Sequence, residues 1–153
     1  MNGRISKEMK RYNYLSGEME AVYHEMSLRL GLSDSAMRIL YTICNEGDSC
    51  PLPQIRCLSG LSKQTLNSAI RKLENQGILY LEQVNAKSKK ACLTETGKEL
   101  AGRTALQILL AEDAILASWP QQDVEKYLEL TDRFLAALKE KSAHLGKNVQ
   151  EVM

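Results

Sequence analysis

Aromatic side chains are scarce in this 153-residue chain, at 5%, with one Trp and one Phe. That leaves too few flat platforms for holding single-stranded nucleic acid by base stacking. Histidine is scarcer still: His24 and His144 are the two present. No C-x-x-C pair accompanies them, so no metal site and no cofactor is expected. No apolar run approaches the length of a membrane span, and the opening MNGRISKEMKRYN lacks the apolar stretch of a signal peptide. The chain is therefore expected to be cytoplasmic, with no membrane partner and with reduced cysteines. A Gly-rich phosphate loop, a nucleophile elbow and a paired catalytic carboxylate are all missing, so no enzymatic activity is expected.

What remains is the composition of an ordinary soluble domain, 44% hydrophobic and 25% charged. The length suits one domain with a real core. Net charge is only +1, but it is unevenly spread. Residues 62–90 hold six basic side chains (Lys63, Arg71, Lys72, Lys87, Lys89 and Lys90) against Glu74 and Glu82. Residues 1–61 are balanced, and residues 91–153 carry an excess of three acids. Positive charge concentrated in one segment is the electrostatic footprint of a polyanion-binding surface.

The segment 62–93 has a readable architecture. Ser62 is a good N-cap, and Gly77 can take the left-handed conformation past a helix end. Between them Leu66, Ala69, Ile70 and Leu73 recur at helical spacing. Gln64, Asn67, Ser68, Arg71 and Asn75 then fall on the opposite face. These are the groups that pair with base edges in a major groove: Arg with guanine, Asn or Gln with adenine. A polar helix face alone is more often simply solvated. Here a short helix with Leu52, Ile55 and Leu58 inward precedes it across a Gly60-Leu61 turn, the spacing of a helix-turn-helix. A hairpin of residues 78–84 and 89–93 follows, its tip at Asn85-Ala86-Lys87-Ser88 carrying the lysine cluster. The candidate DNA-binding residues are Ser62, Lys63, Gln64, Thr65, Asn67, Ser68, Arg71, Lys72, Lys87, Ser88, Lys89 and Lys90. The helix face would read bases and the lysines would grip phosphates.

Long helices flank this unit. Residues 5–30 form one, with Tyr12, Leu15, Met19, Val22 and Met26 in a heptad-like seam. Ser33 caps the next, whose buried side is Ala36, Ile39, Leu40, Ile43 and Cys44; residues 46–49 are a loop. After the hairpin Thr94 caps a long helix with Ala101, Ala105, Ile108, Leu109, Ile115, Leu116 and Trp119 on one stripe. Pro120 ends it. A last helix carries Val124, Tyr127, Leu128, Thr131, Phe134, Leu135 and Leu138, and residues after Leu145 are a frayed tail. The fold class expected is mainly α with a small β-hairpin wing: a winged helix-turn-helix over 33–94, with dimerisation helices over 5–30 and 98–145. Those helices hold more apolar surface than one subunit buries, and a symmetric dimer is the simplest remedy.

Three short pieces complete the pattern: Gly31-Leu32-Ser33 opening a helix, Leu73-Glu74-Asn75-Gln76-Gly77-Ile78 closing the recognition helix, and Leu93-Thr94-Glu95-Thr96-Gly97 leaving the wing. In this order and spacing the chain resembles the MarR family of bacterial transcriptional regulators over nearly its whole length. The resemblance implies a homodimer on a pseudo-palindromic duplex operator, with the recognition helix in the major groove and the wing in the minor groove. It also implies a small-molecule or thiol signal. The wing departs from the family: Ala86 and Lys87 stand roughly where an Asp and a groove-entering Arg are usual. Lys is a hydrated point charge and not a flat fork, so a phosphate role is expected for it. Two alternatives stay open, a winged-helix module that binds protein and a thiol-based redox regulator. For the second, Cys50 is expected to be the most exposed thiol, with a nearby acid holding its pKa up, the wrong direction for reactivity. Cys44 and Cys92 are read as small hydrophobes on apolar faces.

Overall fold

The computed structural model describes residues 3–146. Its elements run α1 Lys7–Arg29, α2 Asp34–Glu46, β1 Ser49–Pro51, α3 Leu52–Ser59, α4 Lys63–Asn75, β2 Leu79–Gln83, β3 Lys89–Leu93, α5 Glu95–Arg103, α6 Ala105–Ala117 and α7 Gln121–His144. The stretch expected to be a tail lies beyond Leu145, almost wholly outside the described residues. No described helix is long and apolar enough to cross a membrane.

The chain divides within α6 into two compact units, parting between Leu109 and Leu110. The first holds the core. Met37, Ile39, Leu40 and Ile43 of α2 meet Ile55 of α3, Leu66, Ile70 and Leu73 of α4, and Ala91 and Leu93 of β3 in one buried cluster. Each of the Met, Ile and Leu side chains withdrawn from water contributes roughly 1.5–3 kcal/mol. Serine and threonine hydroxyls start four of the helices. Ser6, Ser33, Ser62 and Thr94 accept from the backbone N–H three residues on, beginning α1, α2, α4 and α5. The second unit is the rest of α6 with α7, where the Trp119 and Tyr127 rings meet edge to face at 5.6 Å.

The winged helix-turn-helix is present, with four departures from the sequence reading. The sheet has three strands, not two, in the order β1-β3-β2, all antiparallel. Ser49, expected in the 46–49 loop, and Pro51, expected to open the short helix, instead join Cys50 in a strand that pairs with Cys92, Ala91 and Lys90. Leu58 points outward, 54% exposed, and Ser59 takes the buried position on α3. The long helix expected after Thr94 is broken at Thr104, whose backbone leaves helical angles at φ −126°, ψ −94°. Its hydroxyl donates to the Leu100 carbonyl at 2.6 Å, an i−4 back-bond that competes with the helical ladder. The last departure, the placement of the cysteines, bears on the signal the protein could sense and is described with the site.

Candidate nucleic-acid interface

Helix α4 is held at both ends. At the start, the Ser62 Oγ accepts from the Thr65 N–H at 3.2 Å and donates to the Thr65 Oγ1 at 2.9 Å. At the finish, Gly77 sits at φ +73°, the Gly77 N–H meets the Glu74 carbonyl and the Ile78 N–H reaches back to the Leu73 carbonyl. That pairing is the Schellman motif, and the left-handed residue it needs is why a glycine stands there. The turn before the helix is also tied. Arg38 of α2 donates through Nη1 to the Ser59 carbonyl at 3.1 Å, just ahead of Gly60 at φ +70°.

With Leu66, Ile70 and Leu73 buried, the rest of α4 faces outward. Lys63, Gln64, Thr65, Asn67, Ser68, Arg71, Lys72 and Asn75 are all exposed. Gln64, Thr65, Ser68 and Lys72 come together in a shallow groove of about 410 Å³, whose far wall is Ser33 and Ser35 from the start of α2. Neither serine was among the sequence candidates. In the sequence Ser33 reads only as a helix cap, and nothing local says that the start of α2 lies beside α4. Of the candidates, Ser62 has the least to offer a ligand, since its hydroxyl is engaged within its own cap.

The wing lies on a different element. Asn85 closes its tip, accepting through Oδ1 from the Lys87 N–H at 2.9 Å and the Ser88 N–H at 3.0 Å. The side chain thus mimics a backbone turn and holds Lys87 at the apex. Lys87 and Lys89 are exposed; Ser88 and Lys90 are half-buried. Lys90 pairs across the strands with Glu82, Lys89 with Gln83. Among the described residues, none of the six cations of 62–90 forms a salt bridge. Their charge is not tied up in a salt bridge, which leaves it to act on an anion brought to this face.

The cysteines are placed otherwise than expected. Cys50, read as the most exposed, is fully buried on β1, and Cys57 of α3 is the exposed one. Strand pairing with β3 explains it: Cys50 lies opposite Ala91 and joins the core face. Burial first, then Glu46, pushes its thiol up to about 11. Cys44 is raised by burial and then by Asp48. Cys92 is buried too, but on the sheet face away from the core, where its thiol lies 3.7 Å from the Glu82 carboxylate. Burial raises it, against the hydrogen bond from Tyr80, which lowers it. None of these three favours a thiolate at neutral pH. A thiol-alkylating reagent at pH 7 is expected to modify Cys57 first and Cys50 last, as read by peptide mass mapping. Early modification of Cys50 would reopen the redox reading. Among the described residues no three His, Cys, Asp or Glu side chains could share a metal ion.

Residues 30–89 match the sequence model of the MarR family. No curated protein matches the chain. Among solved structures it is similar to a MarR family regulator from Neisseria meningitidis, with TM-score 0.77 and 18% identity over 90% of this chain and 98% of that one. It is similar also to a MarR family transcriptional regulator from Silicibacter pomeroyi, with TM-score 0.68 and 22% identity over 86% and 89%. A third is the PcaV transcriptional regulator of Streptomyces coelicolor, solved with its natural ligand, with TM-score 0.60 and 14% identity over 88% and 99%.

Proposed function

We propose that this chain, whose residues 30–89 match the MarR family model and whose fold is similar to that of MarR family regulators, is a dimeric transcriptional repressor. It binds a pseudo-palindromic duplex operator, and a small-molecule effector tunes its affinity. The observation that carries the reading is the outward face of α4. It is capped at both ends, polar along its length and flanked by cations that form no salt bridge among the described residues. A rigid helix of this kind can enter a major groove with Gln64, Asn67, Ser68 and Arg71 toward base edges. Lys63, Lys72 and the wing lysines neutralise phosphates. The effector part is supported by the ligand-bound PcaV structure of the same fold.

The test is selection of bound duplexes from a random or genomic pool, followed by affinity measurements across a salt series. One enriched, inverted-repeat sequence and steep salt dependence are expected. Failure to bind any duplex at low salt would turn the reading toward a protein-binding winged helix.

Within this reading the wing lysines set affinity without setting sequence preference. A phosphate contact adds roughly 0.9 to the slope of log affinity against log salt, and a dimer presents each wing twice. Lys87→Ala is therefore expected to reduce the slope by about 1.8 and to weaken operator and scrambled duplex alike. Loss confined to the operator, with the slope unchanged, would mean that Lys87 enters the minor groove and reads it.

A further inference from the structure

We infer that Thr94 and Gly97 are positioning residues for the DNA-reading helix, clamping the first turn of α5 onto the turn that ends α4. The inference rests on the functional reading above and adds how the reading helix is aimed.

Three polar links and one close approach join the two elements. The Thr94 N–H donates to the Ile78 carbonyl at 3.0 Å. The Thr94 hydroxyl donates to the Gly77 carbonyl at 2.6 Å, with the Ile78 carbonyl also within reach at 3.2 Å. The same oxygen accepts from the Gly97 N–H at 2.9 Å, so the N-cap of α5 and the end of α4 share one side chain. Gly97 is buried, and its backbone presses on the Ile78 peptide. A Cβ built on Gly97 would collide with the Ile78 carbonyl oxygen and lie 3.0 Å from its carbon. Gly97 is not at a positive φ, so space and not conformation requires the glycine. Nor can the obstacle step aside cheaply. Ile78 is buried, and its N–H is the Schellman bond to Leu73 that terminates α4.

The consequence reaches the groove-facing side. A methyl group at Gly97 moves the α5 start and the α4 end apart by about 1 Å, the distance needed to restore van der Waals contact. Base-edge hydrogen bonds hold over only a few tenths of an ångström, so that shift breaks them. Lysine contacts to phosphate, on long flexible stems, survive it. The clamp therefore governs selectivity more than general affinity for DNA.

The experiment compares wild type, Gly97→Ala, Thr94→Val and Thr94→Ser on the wild-type-selected operator and on a scrambled duplex, with melting temperature and oligomeric state measured alongside. Val keeps the shape of Thr but loses the hydroxyl; Ser keeps the hydroxyl. Gly97→Ala and Thr94→Val are expected to lower the operator-to-scrambled affinity ratio roughly a hundredfold, the effect of losing about one base contact of about tenfold in each half-site. Thr94→Ser should restore the ratio to within about threefold, since Ser caps as Thr does. A Thr94→Val protein that melts earlier but keeps the wild-type ratio overturns the inference, because a merely structural clamp lowers stability alone. If Gly97→Ala does not fold, the Thr94 pair decides. A wild-type protein that binds no duplex overturns the functional reading and the inference with it. A selective wild type with unchanged variant ratios overturns the inference alone.

Discussion

Leu128→Glu combined with Leu135→Glu is expected to leave the chain monomeric or insoluble, where the wild-type protein is expected to sediment as a dimer at micromolar concentration. The expectation comes from the state of α7 in a single chain. No residue of this 24-residue helix is buried. Leu128, Leu135 and Leu138 stay 55%, 46% and 53% exposed, in one stripe with Tyr127 and Phe134. A helix whose apolar side is about half exposed draws little stability from packing, and packing supplies most helical stability in proteins. Helix α1 shows the same signature: Tyr12, Leu15, Met19 and Val22 of its seam are about half exposed, and only Met26 at its end packs on the core. A second copy is the occupant that supplies complementary apolar faces without a further gene product, and two-fold pairing is the commonest way to close such an assembly.

The expected effect is large. An unpaired charge forced into an apolar interface costs about 3–5 kcal/mol, and two-fold symmetry places each substitution in the interface twice. Sedimentation of the double variant gives the answer. A variant dimer as tight as wild type, or a wild-type monomer at micromolar concentration, would mean that these stripes are covered by something else. Loss of the dimer should also flatten operator binding, because one half-site then engages alone.

How far the sequence revealed this molecule depended on whether a feature was local. Helix α4 was readable because its cap, its apolar period and its terminal glycine lie within sixteen residues, and the structure places Ser62 and Gly77 in those roles. Strand β3 has the expected bounds for the same reason, with a turn signal before it and Thr94 after it. Features set by distant contacts were not readable. Strand β1 is three residues long and contains a proline, so neither alternation nor propensity marks it; it exists because β3 offers an edge. That pairing in turn buries Cys50, which its neighbours Asp48 and Pro51 had suggested was exposed. Thr104 breaks a stripe whose apolar spacing is continuous, its backbone leaving helical angles at φ −126°, ψ −94° where the apolar period carries no signal of a stop. In the site, Ser33 and Ser35 join α4 only through the way α2 crosses it.

Arg71→Ala is expected to abolish the preference for one base pair in each half-site of the operator. Arg71 lies midway along α4, on the side away from the buried Leu66, Ile70 and Leu73. Asn67, Ser68 and Asn75 are its exposed neighbours one turn away on the same helix. Among the described residues it has no ion-pair partner, so forming a new contact breaks no internal bond. A guanidinium presents two parallel N–H groups that match O6 and N7 of guanine, and such a pair is worth about 1–3 kcal/mol over the wrong base. Truncation to Ala should cost about that much on the operator per half-site, and much less on scrambled duplex, where no guanine is in register. Arg71→Lys should recover general affinity but not the base preference, because an ammonium lacks the planar fork. Competition against operators changed one base pair at a time locates the position where preference is lost. Equal weakening on operator and scrambled duplex, with no position relaxed, would make Arg71 a phosphate contact and move the burden of readout to Gln64, Asn67 and Ser68.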